Sequence, residues 1–178
     1  SQVFHFEDEH KLNLVCQYIL STWVFDNYST IVYLSFTGYP GSGKSHLLNL
    51  LFHLCYNSFY MSGLASDSSF FRMANYNGTV LMDESQQSSH DSSSFFHKIL
   101  AVSNQKMGNV TRAVQKGNSK DFTLEVFTPF GPKIFSGRGI PGDDAILSRT
   151  HTIPLQAISL EKQELLKDVF DFQWQKDA

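Results

Sequence analysis

The chain has 178 residues, a length that suits one ordinary domain. Hydrophobic residues make up 42% of it and charged residues 17%, which is enough apolar material for a core. The net charge of −3 excludes a global basic field that would attract nucleic acid, so any DNA contact has to come from a local basic segment. The longest apolar runs are far shorter than a membrane span, and the sequence does not open with a signal peptide.

The two cysteines, Cys16 and Cys55, each lie in an apolar, helix-like stretch. Their spacing does not resemble that of a zinc site. We expect both to be buried free thiols in a reducing compartment, and hence a cytoplasmic protein. The first residue is Ser rather than Met, so we expect the sequence to be one domain of a longer protein.

Helices and strands are predicted to alternate along the chain. Apolar residues at helical spacing predict a helix over 6–25, and the run 31–36 predicts a buried strand followed by a glycine-rich loop and a helix over 45–56. The remaining predicted elements are a strand at 58–63, a short helix at 66–76, a strand at 78–85, a helix at 92–105, a hairpin within 106–127, a strand at 131–139, a short helix at 143–149, a strand at 150–156 and a closing helix at 159–174.

This order predicts an α/β fold with five mostly parallel strands between helices. A β-hairpin is inserted before the fourth core strand. We expect a single domain over 1–178, with a helical lead-in at 1–28 and a C-terminal helix at 157–178.

The segment GYPGSGKS, residues 38–45, matches the pattern of a phosphate-binding loop completely. Its glycines let backbone N–H groups turn inward around a phosphate, Lys44 supplies charge to the β- and γ-phosphates, and the Ser45 hydroxyl binds Mg²⁺. The next helix points its positive N-terminus at the same anion. A chance glycine turn is disfavoured because a strand precedes the loop and a helix follows it. The residues predicted to contact nucleotide are Gly38, Pro40, Gly41, Ser42, Gly43, Lys44, Ser45 and His46.

A pair of acids ends the predicted strand that begins at Gly78. Asp83 and Glu84 would lie at the carboxyl end of a buried strand, where ligands bind in sheets of this kind. We expect Asp83 to hold Mg²⁺ through water and Glu84 to polarise the attacking water. The alternative is that the two acids merely cap the end of the strand.

Two classes of phosphate-loop protein fit the sequence poorly. A GTPase needs a guanine-reading N-K-x-D motif, which the segment NQKM at 104–107 does not match. A small-molecule kinase usually has an arginine-rich lid, whereas the arginines here are only Arg72, Arg112, Arg138 and Arg149.

Arg149 ends the segment DDAILSR, just before the fifth predicted strand. This arrangement resembles the AAA+ ATPases. In their MCM-like branch a Ser-Arg pair follows a short helix at the same place, and its arginine reaches the γ-phosphate held by the neighbouring subunit. The resemblance implies that Arg149 is an arginine finger acting in trans, which stabilises charge in the transition state. The alternative is a surface arginine paired with Asp143 or Asp144.

The resemblance covers roughly residues 8–160. The segments FFRMANYNGTVLMDE (70–84) and GPKIFSGRGIPGDDAILSRTHTIPL (131–155), with the strand before the glycine loop, are similar to ATPase domains of phage, plasmid and genomic-island replication proteins. Those proteins are AAA+ helicases. The resemblance implies Mg²⁺-dependent ATP hydrolysis and a ring of subunits, for which we expect a hexamer.

The sequence departs from that family at two points. The family places an Asn or Thr sensor at the end of the fourth strand, where this chain has Ser136 or Arg138. Ser136 would orient the attacking water. No helical lid domain follows the fifth strand, so a second sensor arginine is unplaced.

The segment between the acid pair and the fourth strand is locally basic. Helicases of the resembled branch insert a hairpin here that projects into the pore of the hexamer, and such basic residues can follow the phosphates of single-stranded DNA. The implied DNA-binding residues are Lys106, Arg112, Lys116 and Lys120. The alternative is a solvated surface hairpin.

Three functions remain open from the sequence. The first is the ATP-driven motor of a DNA helicase or translocase from a mobile element. The second is a monomeric P-loop phosphotransferase, and the third is a nucleotide-controlled switch or loader that remodels protein rather than DNA. The choice of ATP over GTP depends on the resemblance and on the missing guanine motif.

Overall fold

The computed structural model describes residues 8–62, 75–83, 95–115, 122–138 and 144–156. Within these ranges the helices are α1 (Glu9–Thr22), α2 (Lys44–Leu54), α3 (Phe95–Val102) and α4 (Asp144–Leu147), with a 3-10 turn at Phe25–Asn27. The strands are β1 (Tyr33–Thr37), β2 (Phe59–Ser62), β3 (Val80–Asp83), β4 (Val110–Gln115), β5 (Phe122–Phe127), β6 (Lys133–Gly137) and β7 (Thr150–Pro154).

Five strands form one parallel sheet in the order β2-β3-β6-β1-β7. Strands β4 and β5 form a separate antiparallel hairpin, inserted in the chain before β6. All five predicted core strands and the predicted hairpin are present. The predicted fold class, an α/β core with an inserted hairpin, is confirmed.

Strand β1 is an interior strand of the sheet, with both of its edges paired and both of its faces covered. Leu34 and Phe36 pack on one face, with α1 and α2. Tyr33 packs on the other face, with Leu100 of α3 and Ile146 of α4. Because both faces are buried, the strand reads as a nearly continuous apolar run rather than an alternating one.

Helix α1 is anchored to the sheet by a buried phenol. The Tyr18 hydroxyl lies 3.0 Å from the carbonyl oxygen of Lys133 and 3.2 Å from that of Val32, at the amino ends of β6 and β1. Asp8 caps the start of the helix by accepting a 2.9 Å hydrogen bond from the amide of His10. The lead-in helix is therefore shorter than predicted, but it covers the core as expected.

The prediction that both cysteines are buried is half right. Cys55 is buried, whereas Cys16 is exposed on α1, and both are free thiols. Helix α1 buries Val15 and Tyr18. Consecutive residues on an α-helix are rotated by about 100° around its axis. Cys16 therefore points away from the core that Val15 enters.

Several predicted features lie outside the described residues. They are most of the helix at 66–76, the hairpin turn at 116–121 and the C-terminal helix at 157–178. In the described part of the chain, no helix has the length and apolarity needed to cross a bilayer.

A buried lysine lies at the start of β6. The Lys133 ammonium donates to the carbonyl oxygens of Pro129 and Gly131, at 2.7 and 3.1 Å. Burial penalises its charged form and lowers the pKa of Lys133 from 10.5 to about 7. Between these two values the unfolded chain binds a proton that the folded chain does not, so stability rises with pH.

We predict that the free energy of unfolding increases from pH 7 to pH 8.5, with a slope of at most about 1.4 kcal/mol per pH unit. Lys133→Met should flatten that slope, because it removes the titrating group while keeping a side chain of similar length. Denaturant titrations at several pH values would measure the effect.

The matched control is Lys98→Met, which makes the same change at an exposed position on α3 and should keep the parent slope. The pH window stops at 8.5 because of other buried groups. Burial raises the pKa of Tyr33 and of Cys55 to about 12, so these groups make stability fall again at higher pH. An unchanged slope in Lys133→Met would contradict the prediction.

Candidate functional site

The glycine loop connects the carboxyl end of β1 to the start of α2. Gly41 and Gly43 have φ angles of +82° and +83°, which residues with a side chain rarely adopt. A Cβ atom on Gly38 would lie 2.6 Å from the backbone oxygen of Leu155, so the segment after β7 packs directly against the loop. The first turn of α2 directs its backbone N–H groups into this loop, which makes an anion-binding end.

The Lys44 side chain is hydrogen-bonded to the glycine loop. Its ammonium donates hydrogen bonds to the carbonyl oxygens of Gly38 and Tyr39, both at 2.8 Å, and to the Ser42 hydroxyl at 3.2 Å. The positive charge therefore lies inside the loop, where an anion enclosed by the backbone amides would meet it. Ser42 is buried, while Ser45 and His46 are exposed at the start of α2.

The Asp83 carboxylate is the centre of a hydroxyl cluster beside the loop. Its Oδ2 accepts hydrogen bonds from the Ser45 hydroxyl at 3.0 Å and from the Tyr60 hydroxyl at 2.8 Å. Its Oδ1 accepts a hydrogen bond from the Ser136 hydroxyl. Side chains from α2, β2, β3 and β6 therefore meet at one carboxylate.

Parallel pairing explains why these residues meet. Met82 is in register with Phe135, and Phe36 is in register with Ser136, so β1, β3 and β6 end at the same edge of the sheet. Asp83 and Ser136 are the residues that follow on β3 and β6. Residues separated by more than fifty positions in sequence are thus brought to one point.

The donors at this point suit a hydrated magnesium ion. The Ser45 hydroxyl and the Asp83 carboxylate are hard oxygen ligands, and Mg²⁺ is commonly held by one or two such groups together with water. Within the described ranges, no three His, Cys, Asp or Glu side chains cluster as they would around a zinc-type ion. The chemistry of the donor set therefore fits the magnesium ligands predicted from sequence.

Arg149 lies at the opposite edge of the sheet from the loop. Its backbone oxygen accepts a 2.8 Å hydrogen bond from the amide of Tyr33, the first residue of β1. The glycine loop begins after the last residue of β1. Five residues of strand, about 16 Å, therefore separate the backbone of Arg149 from the start of the loop. The guanidinium donates to the Ala101 carbonyl in the last turn of α3. In the described part of the chain, the hydrogen-bond partner of the guanidinium is therefore a backbone carbonyl rather than the Asp144 carboxylate.

The predicted DNA-binding residues are distributed around the hairpin. Arg112 lies on β4, opposite Glu125 of β5 in the register. Lys106 lies before the hairpin, and its ammonium donates to the backbone oxygen of Asp26. Lys116 and Lys120 lie outside the described residues.

The hairpin strands expose apolar side chains to solvent. Phe122, Leu124 and Val126 alternate along β5 and have exposed fractions of 68%, 70% and 59%. Strand β5 is exposed along nearly its whole length. The hairpin therefore projects from the core instead of covering it.

The structure bears on the remaining predicted site residues in different ways. Glu84 follows the last residue of β3 and lies outside the described residues, so its role stays a prediction. Of the two sensor candidates, Ser136 is buried beside Asp83, whereas Arg138 is exposed. Sequence reasoning missed Tyr60, because a tyrosine in a short strand belongs to no motif and its contact with Asp83 depends on strand pairing.

Comparison with known proteins gives similarity at the level of structure. The sequence matches no protein-family model and no curated protein. A structure of JCV helicase with a bound N-phenylacetamide compound is similar, with a TM-score of 0.52 at 16% identity over 88% of this chain and 46% of that chain. A second JCV helicase structure gives 0.53 at 14% identity, over 87% and 42% of the two chains. The fold is helicase-like.

The C-terminal region of NrS-1 has a TM-score of 0.50 at 18% identity, over 90% of this chain and 39% of that chain. The chain therefore spans less than half the length of each of these proteins. At such identities the likeness concerns the fold alone. The helicase-like fold agrees with the predicted α/β core of five parallel strands between helices.

Proposed function

We propose that the chain is the ATP-hydrolysing motor domain of a DNA helicase or translocase that replicates a mobile element. The observation that carries this proposal is the pairing of Ser45 with Asp83 at 3.0 Å beside a loop that encloses the Lys44 ammonium. That pairing occurs on a helicase-like fold. The finer resemblance to the MCM-like branch belongs to the proposal as well.

ATP is the proposed substrate of the loop. Its β- and γ-phosphates would replace the loop carbonyls as partners of Lys44, and the N–H groups at the start of α2 would bind the same anion. Ser45 and Asp83 would hold Mg²⁺, which supplies positive charge against the phosphates. Glu84 would accept the proton of the attacking water, and Ser136 would orient that water.

Arg149 is proposed to act on the nucleotide of a neighbouring subunit. Its position at the amino edge of the sheet, about 16 Å from the loop of its own chain, makes action in cis implausible. A finger supplied in trans requires a ring, for which we propose a hexamer. The exposed, projecting hairpin supports a contact with single-stranded DNA in the pore of that ring.

We predict that Lys44→Ala loses most affinity for ATP, because it removes the charge that faces the β- and γ-phosphates. Titration with a fluorescent ATP analogue would measure the loss. Lys98→Ala, at an exposed position on α3, is the matched control and should bind as the parent does. Equal affinity in Lys44→Ala and the parent would show that the loop is not a nucleotide site.

We predict that Glu84→Gln and Arg149→Ala each bind ATP but hydrolyse it poorly. Glu84→Gln loses the charge that polarises the attacking water. Arg149→Ala loses an arginine finger, and the loss of such a finger lowers kcat by a factor of roughly 10³ or more. Mixed together, the two variants should recover part of the ATPase activity, because some interfaces then pair an intact finger with an intact site.

The mixing is done at high protein concentration, with oligomers confirmed by light scattering. A phosphotransferase acting as a monomer, or an arginine acting in cis, gives no recovery at any ratio. Absence of recovery in confirmed oligomers would therefore overturn the ring motor. Recovery without any effect of DNA on the rate would favour a switch or loader instead.

We predict that replacing Lys116 and Lys120 by Ala weakens binding of single-stranded DNA and reduces its salt dependence, since fewer counterions are released. ATPase activity without DNA should stay close to that of the parent. Fluorescence anisotropy at several salt concentrations would measure both quantities. Unchanged affinity in this double variant would make the hairpin a surface feature.

A further inference from the structure

The Asp83 carboxylate is fixed by donors from three other elements. The Ser45 hydroxyl reaches Oδ2 from α2, the Tyr60 hydroxyl reaches the same oxygen from β2, and the Ser136 hydroxyl reaches Oδ1 from β6. Rotation of the carboxylate about its side-chain bonds would break at least one of these contacts. Hydrogen bonds to an ionised carboxylate are stronger than those between neutral groups, so the cluster defines one orientation of Asp83.

Tyr60 differs from the two serines in where it comes from. Ser62, two residues later on β2, is the residue in register with Asp83. Tyr60 therefore reaches forward by two residues of strand, about 7 Å, which a phenol side chain spans and a serine does not. The hydroxyl of this ring thus acts at the carboxyl edge from a position further back on β2, one of the two outer strands of the described sheet.

Tyr60 has no direct part in the proposed reaction. Ser45 is a proposed metal ligand and Ser136 a proposed partner of the attacking water. Tyr60 donates a hydrogen bond to Asp83 and belongs neither to the loop nor to strands β1 and β6. Tyr60 is 42% exposed, so its contact with Asp83 lies on the solvent-facing side of the cluster.

We propose that Tyr60 is a positioning residue that holds Asp83 in the orientation that receives Mg²⁺. This proposal rests on the proposed nucleotide and metal site. Tyr60 acts through Asp83 and contacts neither phosphate nor the attacking water. Residues that hydrogen-bond to a metal ligand fix its orientation before the metal binds. The ligand then loses less conformational freedom on binding, which strengthens metal affinity.

The test compares Tyr60→Phe with the parent. The substitution removes one hydroxyl and keeps the ring. Binding of a fluorescent, non-hydrolysable ATP analogue is measured as Mg²⁺ is titrated, and again with the metal removed by chelator. We expect the Mg²⁺ concentration at half-saturation to rise about tenfold or more. Affinity without metal should equal that of the parent, since Tyr60 does not contact the nucleotide.

The matched control is Tyr76→Phe. The Tyr76 hydroxyl also donates to a side-chain oxygen, Asn57 Oδ1 at 3.1 Å, but that pair lies away from Asp83. This variant should titrate with Mg²⁺ as the parent does. Thermal unfolding checks that both variants fold, and we expect Tyr60→Phe to unfold close to the parent temperature because its ring remains.

Each outcome decides one of the two proposals. A parent-like Mg²⁺ titration in Tyr60→Phe overturns the positioning role and leaves the proposed function standing. A loss of affinity that is equal with and without metal also overturns it, because Tyr60 would then contact the nucleotide directly. A parent protein that binds nucleotide without any effect of Mg²⁺, or does not bind it, overturns the proposed function and the role of Tyr60 together.

Discussion

Parallel pairing of β1 on both of its edges is the constraint on which the rest of the structure depends. Strand β1 is hydrogen-bonded to β6 on one side and to β7 on the other, and β6 in turn pairs with β3. Because parallel strands end at a common edge, the glycine loop, Asp83 and Ser136 have to meet. In the same register, β7 starts beside the first residue of β1. Arg149, which precedes β7, therefore lies at the amino edge of the sheet.

Buried polar side chains join the helices to the amino ends of the sheet strands. The Tyr33 hydroxyl lies 2.6 Å from the backbone oxygen of Leu100 and 2.8 Å from the Ser103 hydroxyl, which ties β1 to the end of α3. The Tyr18 hydroxyl makes the corresponding contact between α1 and the backbone of Lys133 in β6, and the Lys133 ammonium bonds to the carbonyl oxygen of Pro129 just before that strand. Burying these groups is tolerable because each one has hydrogen-bond partners. The carboxyl edge remains available for ligands as a result.

The two edges also differ in the kind of chemistry they offer. At the carboxyl edge, an ammonium, the start of a helix and a carboxylate lie within one small region, as a phosphate and its metal would require. At the amino edge, a guanidinium rests on the last turn of α3, where a cation is favoured by the helix dipole. Seven residues separate the end of α3 from the first residue of the hairpin.

The sequence by itself determined the order of the elements and the identity of the phosphate loop. Apolar runs indicated β1 and β3, whose residues are buried on both faces of the sheet. The glycine pattern identified residues 38–45 because few other residues adopt the required backbone angles. Only the tertiary structure decided which side chains meet. Cys16 turned outward because neighbouring helical positions face different ways, and Tyr60 reached Asp83 because β2 pairs with β3, a contact that neither spacing nor composition encodes.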